Sequence, residues 1–193
     1  KIGAELGQIE VLRRPEKLGL GAAYRAGFAV GIARGYEVIC QIDADLSHDP
    51  EVLPRLVAEI EAGADLVIGS RYVPGGEIPH WPWRRRALSK YGNFYTGFML
   101  RTGVHDATAG YRAFRADTLK AIDFAATRAK GYGFQIELAY RVSQHGGRIV
   151  EIPITFTDRV RGHSKMSMAV MAEEMALVSW WGLRDRLRRR KHG

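Results

Sequence analysis

Two carboxylates one residue apart, Asp43 and Asp45, close an apolar run rich in β-branched residues. The stretch reads Glu37-Val38-Ile39-Cys40-Gln41-Ile42-Asp43-Ala44-Asp45-Leu46-Ser47-His48-Asp49-Pro50. Hard oxygen donors at a strand end suit a divalent cation that carries a substrate's phosphates. Open α/β sheets gather ligands at the carboxyl ends of their strands. Residues i and i+2 share a direction only while the strand continues. The pair can therefore divide its work, one carboxylate on metal and one on a sugar hydroxyl. A solvated turn before a helix is the plainer reading of the same residues.

Three more segments carry polar types that core positions avoid. Asp106-Ala107-Thr108-Ala109-Gly110-Tyr111-Arg112 sets an acid, a hydroxyl and a guanidinium around a glycine. Gly131-Tyr132-Gly133-Phe134-Gln135-Ile136-Glu137 puts Gln135 and Glu137 beside a flexible turn, and Asp158-Arg159-Val160-Arg161-Gly162-His163-Ser164-Lys165 is a basic loop with a glycine hinge. Taken singly, each also reads as a solvated loop or an i,i+4 pair. His48 and His163 are the histidines nearest this chemistry, and His48 reads as a surface side chain.

The elements that must hold these residues alternate. Residues 9–12 read as a short strand. Gly19-Leu20-Gly21 opens a helix to about residue 33, in which Ala23, Gly27 and Gly31 allow close packing on a sheet. Residues 38–42 form the next strand. Asp49-Pro50 is an N-cap and first helical residue, with Leu53, Leu56, Val57 and Ile60 inward and Gly63 as the stop. Residues 65–69 form a strand that delivers Ser70 and Arg71. A proline- and glycine-rich loop precedes a helix over residues 84–100, whose first turn holds Arg84, Arg85 and Arg86. Cations there oppose the helix dipole unless they meet an anion. Residues 106–114 are loop then strand, 134–144 a helix, and 149–156 an edge strand because of Pro153. Residues 166–182 form a last helix. Strands alternating with helices predict an α/β domain with a mostly parallel sheet and helices on both faces.

Composition agrees with a soluble globular domain: 193 residues, 46% hydrophobic and 26% charged. One cysteine, Cys40, excludes an internal disulfide framework and a multi-cysteine zinc site, and its apolar strand makes it a small core residue. The net charge of +8 favours acidic partners, namely phosphates, nucleic acid or an anionic membrane face. The excess gathers at Arg84–Arg86 and in the run from Arg184 to Lys191. No apolar run approaches the ~20 residues that span a bilayer.

Read in order, Leu18-Gly19-Leu20-Gly21-Ala22-Ala23-Tyr24, Asp43-Ala44-Asp45-Leu46-Ser47-His48, Gly69-Ser70-Arg71-Tyr72, Asp106 to Arg112, Gly131 to Glu137 and Asp158-Arg159…Gly162…Ser164-Lys165 closely resemble the polyprenol-phosphate (dolichyl-phosphate) mannose synthases, a group of the family-2 glycosyltransferases. The resemblance runs from about residue 9 to residue 165. It implies a GT-A, Rossmann-like nucleotide-sugar fold over residues 1–165, with an amphipathic helix and basic tail over 166–193. It implies transfer of mannose from GDP-mannose to a polyprenol monophosphate, with inversion and with Mg²⁺ or Mn²⁺ bridging the diphosphate. By matched position, Asp45 is a direct metal ligand and Asp43 serves metal and nucleotide-sugar. Ser47 stands where archaeal members often carry glutamine, and is a shorter ligand. Arg71, Arg85 and Ser89 match positions on the acceptor phosphate, and Arg159 and Lys165 match a loop over the donor diphosphate. Asp106, Thr108 and Arg112 belong to a substrate-binding block, and Gln135 and Glu137 to the back of the sugar pocket.

The chemistry of the residues is compatible with that implication. A phosphate monoester has a second pKa near 6 and is a nucleophile at neutral pH without a strong base. The site must hold two anions close together and stabilise a leaving diphosphate, which calls for a cation and several Arg or Lys. A lipid acceptor also requires contact with a bilayer. Trp81 and Trp83 beside the basic helix start, and Trp180-Trp181 beside the basic tail, are interfacial signals. The expectation is a peripheral protein at the cytoplasmic membrane face, with a separate membrane-anchor subunit as a possible dock and no nucleic-acid partner. The family's opening strands, which hold the nucleoside, do not precede residue 9. Lys1 and the helix-end character of residues 1–7 suggest a piece of a longer protein, with a half-built nucleotide pocket and weak turnover by itself. Two alternatives stay open: a polyprenol-phosphate glucosyl- or other glycosyltransferase using a UDP-sugar, and a non-catalytic basic module binding membrane or nucleic acid.

Overall fold

The computed structural model describes residues 9–129, 131–158 and 168–190, with backbone alone for 168–170 and 188–190. The expected helix end at residues 1–7, and Arg159, His163 and Lys165 of the basic loop, lie outside the described residues.

Helix α1 (Leu20–Ala33) starts behind Gly19, whose φ of 88° is open to glycine because it has no Cβ. Strand β1 (Val38–Gln41) follows. Asp49 accepts a hydrogen bond from the Glu51 amide at 2.9 Å, and Pro50 opens a 3₁₀ turn that leads into α2 (Leu53–Glu61). Strand β2 (Leu66–Ser70), helix α3 (Trp83–Leu100) and strand β3 (Arg112–Arg115) come next. A short helix α4 (Ala116–Ala121), unforeseen in the sequence, precedes α5 (Gly133–Gln144). Strand β4 (Ile149–Pro153) takes the edge position that Pro153 requires, and α6 (Met168–Arg190) closes the chain.

The strands form one sheet in the order β1-β3-β2-β4. It is α/β with helices on both faces, but the sheet is mixed rather than mostly parallel. β2 pairs parallel with β4, whereas β3 runs antiparallel to both β1 and β2. A parallel reading assumes that each helical crossover returns the chain to the amino end of the sheet. Here α3 and the loop after it return the chain to the end where β2 stops: the Gly69 amide donates to the Tyr111 carbonyl at 2.9 Å, and Arg112 pairs with Ile68. The reversal puts the whole Asp106–Arg112 loop on the same rim as Asp43 and Arg71.

Alternation along β2 and β3 builds two cores. Leu66, Ile68 and Phe114 face α1, α3, α5 and α6, where Phe28, Leu100, Phe134, Leu138 and Trp181 are buried. Val67 and Ala113 face the other way onto Leu56 and Ile60 of α2. Leu53 and Val57 flank that pair half-buried. Of the small residues read along α1, Gly31 lies against Ile39 while Gly27 is open; the close helix contact is at Gly21, where a Cβ would stand 3.0 Å from the Phe134 ring.

Two elements differ from the sequence pattern near the chain ends. Residues 9–12 form no strand; Ile9, Val11 and Leu12 are exposed. An apolar run becomes a strand only where a neighbour pairs its backbone, and among the described residues none does. The last helix passes Gly182 and continues to Arg190. Arginine favours helix, and Gly182 serves packing rather than termination: a Cβ there would lie 2.7 Å from the Met99 carbonyl oxygen of α3. Leu66, fully buried at the middle of the sheet, gives the fold a direct test. Leu66→Ala is expected to lower stability by roughly 2–5 kcal/mol, read as a lower urea midpoint with an unchanged denaturant slope.

Candidate active site

The carboxyl ends of β1 and β2 and the start of β3 converge on a cavity of about 300 Å³. Asp43 enters it from β1, Arg71 from β2, Thr108 from the loop before β3, Arg85 and Ser89 from α3, and Gln135 from α5. The Tyr24 hydroxyl donates to Asp43 Oδ1 at 2.9 Å, and the Tyr24 ring stacks on Phe28 and Phe134. The carboxylate is thereby tied to the core. Burial, and then the Asp43 charge, push the Tyr24 pKa up, so the phenol stays a donor. Gly110 packs against the same carboxylate; a Cβ there would sit 3.1 Å from Asp43 Oδ2.

Asp45 is half-buried and is not among the residues that line the cavity. Its Oδ1 accepts from the Ser47 amide at 3.1 Å and the Ser47 hydroxyl at 2.5 Å. Ser47 thus orients Asp45. Leu46 between them has a φ of 64° and is 75% exposed. A left-handed, solvent-facing leucine is strained, and such strain collects at functional sites. His48 is buried, not on the surface, and lines the cavity between Tyr111 and Phe156. Burial lowers its pKa, opposed by the charges of Asp43, Asp45 and Asp106.

Arg71 is held by Asp106 through Nε at 2.7 Å, Nη2 at 2.6 Å and its own backbone amide at 2.9 Å. Nη2 also donates to Thr108 Oγ1 at 2.9 Å. Burial disfavours the Arg71 charge, but the Asp106 pairing wins and raises its pKa above the ordinary arginine value. Asp106 is completely buried and stands behind Arg71 rather than in the cavity wall. Arg112 is also fully buried. Its guanidinium donates to the carbonyls of Ala107 at 2.6 Å, Ala109 at 2.8 Å and Gln135 at 2.7 Å. Burial pushes its pKa down to about 10, so it remains a cation at neutral pH. Glu137 points away from the cavity, accepting from the Arg128 and Ala129 amides at 2.9 and 2.8 Å and pairing with Arg141. Gln135 differs: both atoms of its side-chain amide are buried with no partner among the described residues, in a side chain that lines the cavity. Unpaired buried amides are costly, so Gln135 is a candidate for contact with a ligand.

The family model for glycosyl transferase family 2 matches residues 1–123. The chain belongs to that family. It is 53% identical over 186 residues to the polyprenol monophosphomannose synthase of Mycolicibacterium smegmatis, covering 96% of this chain and 70% of that protein. It is 51% identical over 183 residues to the undecaprenyl-phosphate mannosyltransferase of Micrococcus luteus, covering 95% of this chain and 75% of that one. Among solved structures, glucosyl-3-phosphoglycerate synthase from Mycobacterium tuberculosis, in complex with Mn²⁺, UDP-glucose and phosphoglyceric acid, superposes with a TM-score of 0.58 at 20% identity. That match covers 89% of this chain and 56% of the other, and the shared fold is GT-A.

On this glycosyltransferase α3 carries Arg85 and Ser89 into the cavity. Ser89 accepts from the Tyr72 hydroxyl at 2.7 Å, and the Asn93 side-chain amide donates to Thr108 Oγ1 and accepts from the Thr108 backbone amide. The basic first turn meets a carboxylate, indole rings and a main-chain carbonyl: Arg84 lies over Trp83, Arg85 on Asp158 and Trp81, and Arg86 on the Ile78 carbonyl. The outer face of α3 shows Trp83, Tyr91, Phe94 and Phe98, and α6 beside it shows Trp180, Leu183 and Leu187. The Tyr95 and Ser179 hydroxyls join the two helices at 2.6 Å. Glu174 on α6 accepts from the Gly133 amide at 2.9 Å, so the same helix reaches the turn that carries Gln135. Tyr24, Trp81 and Glu174 were not marked in the sequence as site residues. Tyr24 lies in the Leu18–Tyr24 segment, Trp81 has the pattern of an interfacial anchor, and nothing local singles out Glu174.

The buried imidazole yields a pH test. A histidine pKa below its ordinary 6.5 contributes stability that is intact above about pH 6.5 and is lost as the pH falls towards the folded-state value. An NMR titration should place the His48 midpoint below 6.5; a midpoint at or above it would contradict the burial.

Proposed function

We propose that this glycosyltransferase moves mannose from GDP-mannose to the monophosphate of a membrane polyprenol of the dolichyl type, inverting the anomeric centre. One observation carries the reading: a single rim cavity holds an acidic side chain (Asp43), two guanidiniums (Arg71, Arg85) and an amide without a partner among the described residues (Gln135). The substrate class follows the names of the two mannosyltransferases that it matches at just over half identity. In the proposed step a phosphate oxygen of the acceptor attacks the anomeric carbon. The bond from that carbon to the donor's diphosphate oxygen breaks, and GDP leaves with the electron pair. The acceptor is already ionised near neutral pH, so no strong base is required.

Arg71, Arg85 and Ser89 would receive the acceptor phosphate, and Gln135 and Thr108 the donor sugar. Asp106, Arg112 and Glu137 would act from behind, as supports of those groups. Arg159 and Lys165, by their matched positions, would close on the diphosphate. Asp43 and Asp45 would hold Mg²⁺ or Mn²⁺. Among the described residues no cluster of three or more His, Cys, Asp or Glu forms a protein-only cage. That fits ions which take one or two carboxylates and complete their shell with substrate phosphates and water. When bound, such an ion supplies positive charge to the leaving diphosphate. Residues 1–165 would form the catalytic domain, and residues 166–193 would join α3 at the bilayer. No described helix is long and apolar enough to cross a membrane. The apolar stripes of α3 and α6 with their flanking arginines support a peripheral seat on the cytoplasmic face, by lipid contact or on a separate anchor subunit.

Calorimetric titration with Mn²⁺ and nucleotide tests the donor side. Binding of GDP-mannose should depend on Mn²⁺, exceed that of UDP-glucose, and disappear in Asp45→Ala; metal binding unchanged in that variant would sink the assignment. Vesicle flotation tests the membrane side. Binding should require anionic lipid and weaken with salt, whereas equal recovery on neutral vesicles at high salt would contradict it.

A further inference from the structure

The two guanidiniums of the cavity are held very differently. Arg71 and Asp106 have side chains only 9% and 0% exposed and share several hydrogen bonds. Breaking such a pair would strand a buried charge. Arg85 pairs with Asp158 through Nη1, 3.0 Å from Oδ1 and 3.3 Å from Oδ2, and both side chains are about two-fifths exposed, at 42% and 41%. Exposed ion pairs contribute little, so Arg85 can exchange one anion for another cheaply. The seat is nevertheless shaped. The Arg85 guanidinium lies 3.8 Å from the centre of the Trp81 ring, and the Trp81 Nε1–H donates to the same Asp158 Oδ1 at 2.9 Å. Arg71 approaches the same indole at 5.6 Å. Trp81, Arg71, Arg85 and Asp158 all line the cavity. An indole donor and a guanidinium thus converge on one oxyanion position, which a carboxylate of the chain itself occupies.

We propose that Asp158 is the resident anion of the acceptor seat, displaced from Arg85 and Trp81 by the incoming phosphate monoester, and that this competition selects monoesters over diesters. A monoester carries about −1.5 to −2 charges near neutral pH and offers three acceptor oxygens. A phosphodiester headgroup carries one charge and displaces a carboxylate of equal charge poorly. An unguarded cluster of arginines at a bilayer would take any phosphate; Asp158 sets the threshold. The inference rests on the reading that Arg85 meets the acceptor phosphate.

Calorimetry with citronellyl phosphate as monoester and its methyl ester as diester tests both. Asp158→Asn keeps an oxygen for the indole and removes the charge. It should bind the monoester about two- to fivefold more tightly, gain by a larger factor for the diester, and so lose part of the monoester preference; equal gains for both overturn the selection. Asp158→Ala, checked for an unchanged melting curve, should behave alike. Unchanged or weaker monoester binding in both variants overturns the role of Asp158. Arg85→Gln separates the two levels: it should weaken monoester binding and cancel the gain in the double variant. No effect of Arg85→Gln in either background overturns the acceptor-site reading itself.

Discussion

Arg112 carries a positive charge into a fully buried position, and three main-chain carbonyls compensate it. Two of those carbonyls, on Ala107 and Ala109, belong to the loop before β3; the third, on Gln135, belongs to the first turn of α5. The guanidinium therefore welds two walls of the cavity to one another and to the sheet. The loop carbonyls of Ala107 and Ala109, left without it, would each carry a desolvation cost of about 1–3 kcal/mol. The planar, five-donor fork makes this possible, since no lysine could reach three divergent acceptors in one plane.

Around that weld the ionic contacts are graded by burial. Asp106 locks Arg71 from behind, and the loop holding Asp106 is itself fixed by Glu151, which accepts the His105 and Asp106 amides at 2.8 and 2.9 Å. Nearer the mouth, Arg85 and Asp158 meet in partial solvent, where their attraction is screened and exchangeable. One side of the site is thus preorganised at a depth where rearrangement is expensive. The other is left responsive at the surface, next to the helices whose apolar faces look outward.

Helix α6 connects these regions. Its outer face carries Trp180, Leu183 and Leu187, its inner face buries Val178 and Trp181 against the core, and Glu174 binds the turn that opens α5. Burial raises the Glu174 pKa, while the amides of Gly133 and Tyr132 oppose the rise. A carboxylate in that position links an outward-facing helix to the turn that presents Gln135, so contact at the surface and geometry at the cavity wall share one element.

Much of this was legible in the chain itself. The β-branched run ending in Asp43 and Asp45, the Asp49-Pro50 helix start, the edge strand marked by Pro153 and the ordered polar blocks each depend on neighbours a few residues away, and local sequence specifies such features. The tertiary structure decided which way β3 runs, that His48 is buried, and which members of the polar blocks face the cavity. Asp106, Arg112 and Glu137 had the same look on paper as Arg71, Thr108 and Gln135. Their partners lie 35 positions away for Arg71 with Asp106 and 23 for Arg112 with the Gln135 carbonyl. A charge set against a distant partner or into solvent has the same one-letter code; only the packed sheet determines which of the two surrounds it, because desolvation and pairing are properties of the folded neighbourhood and not of the segment.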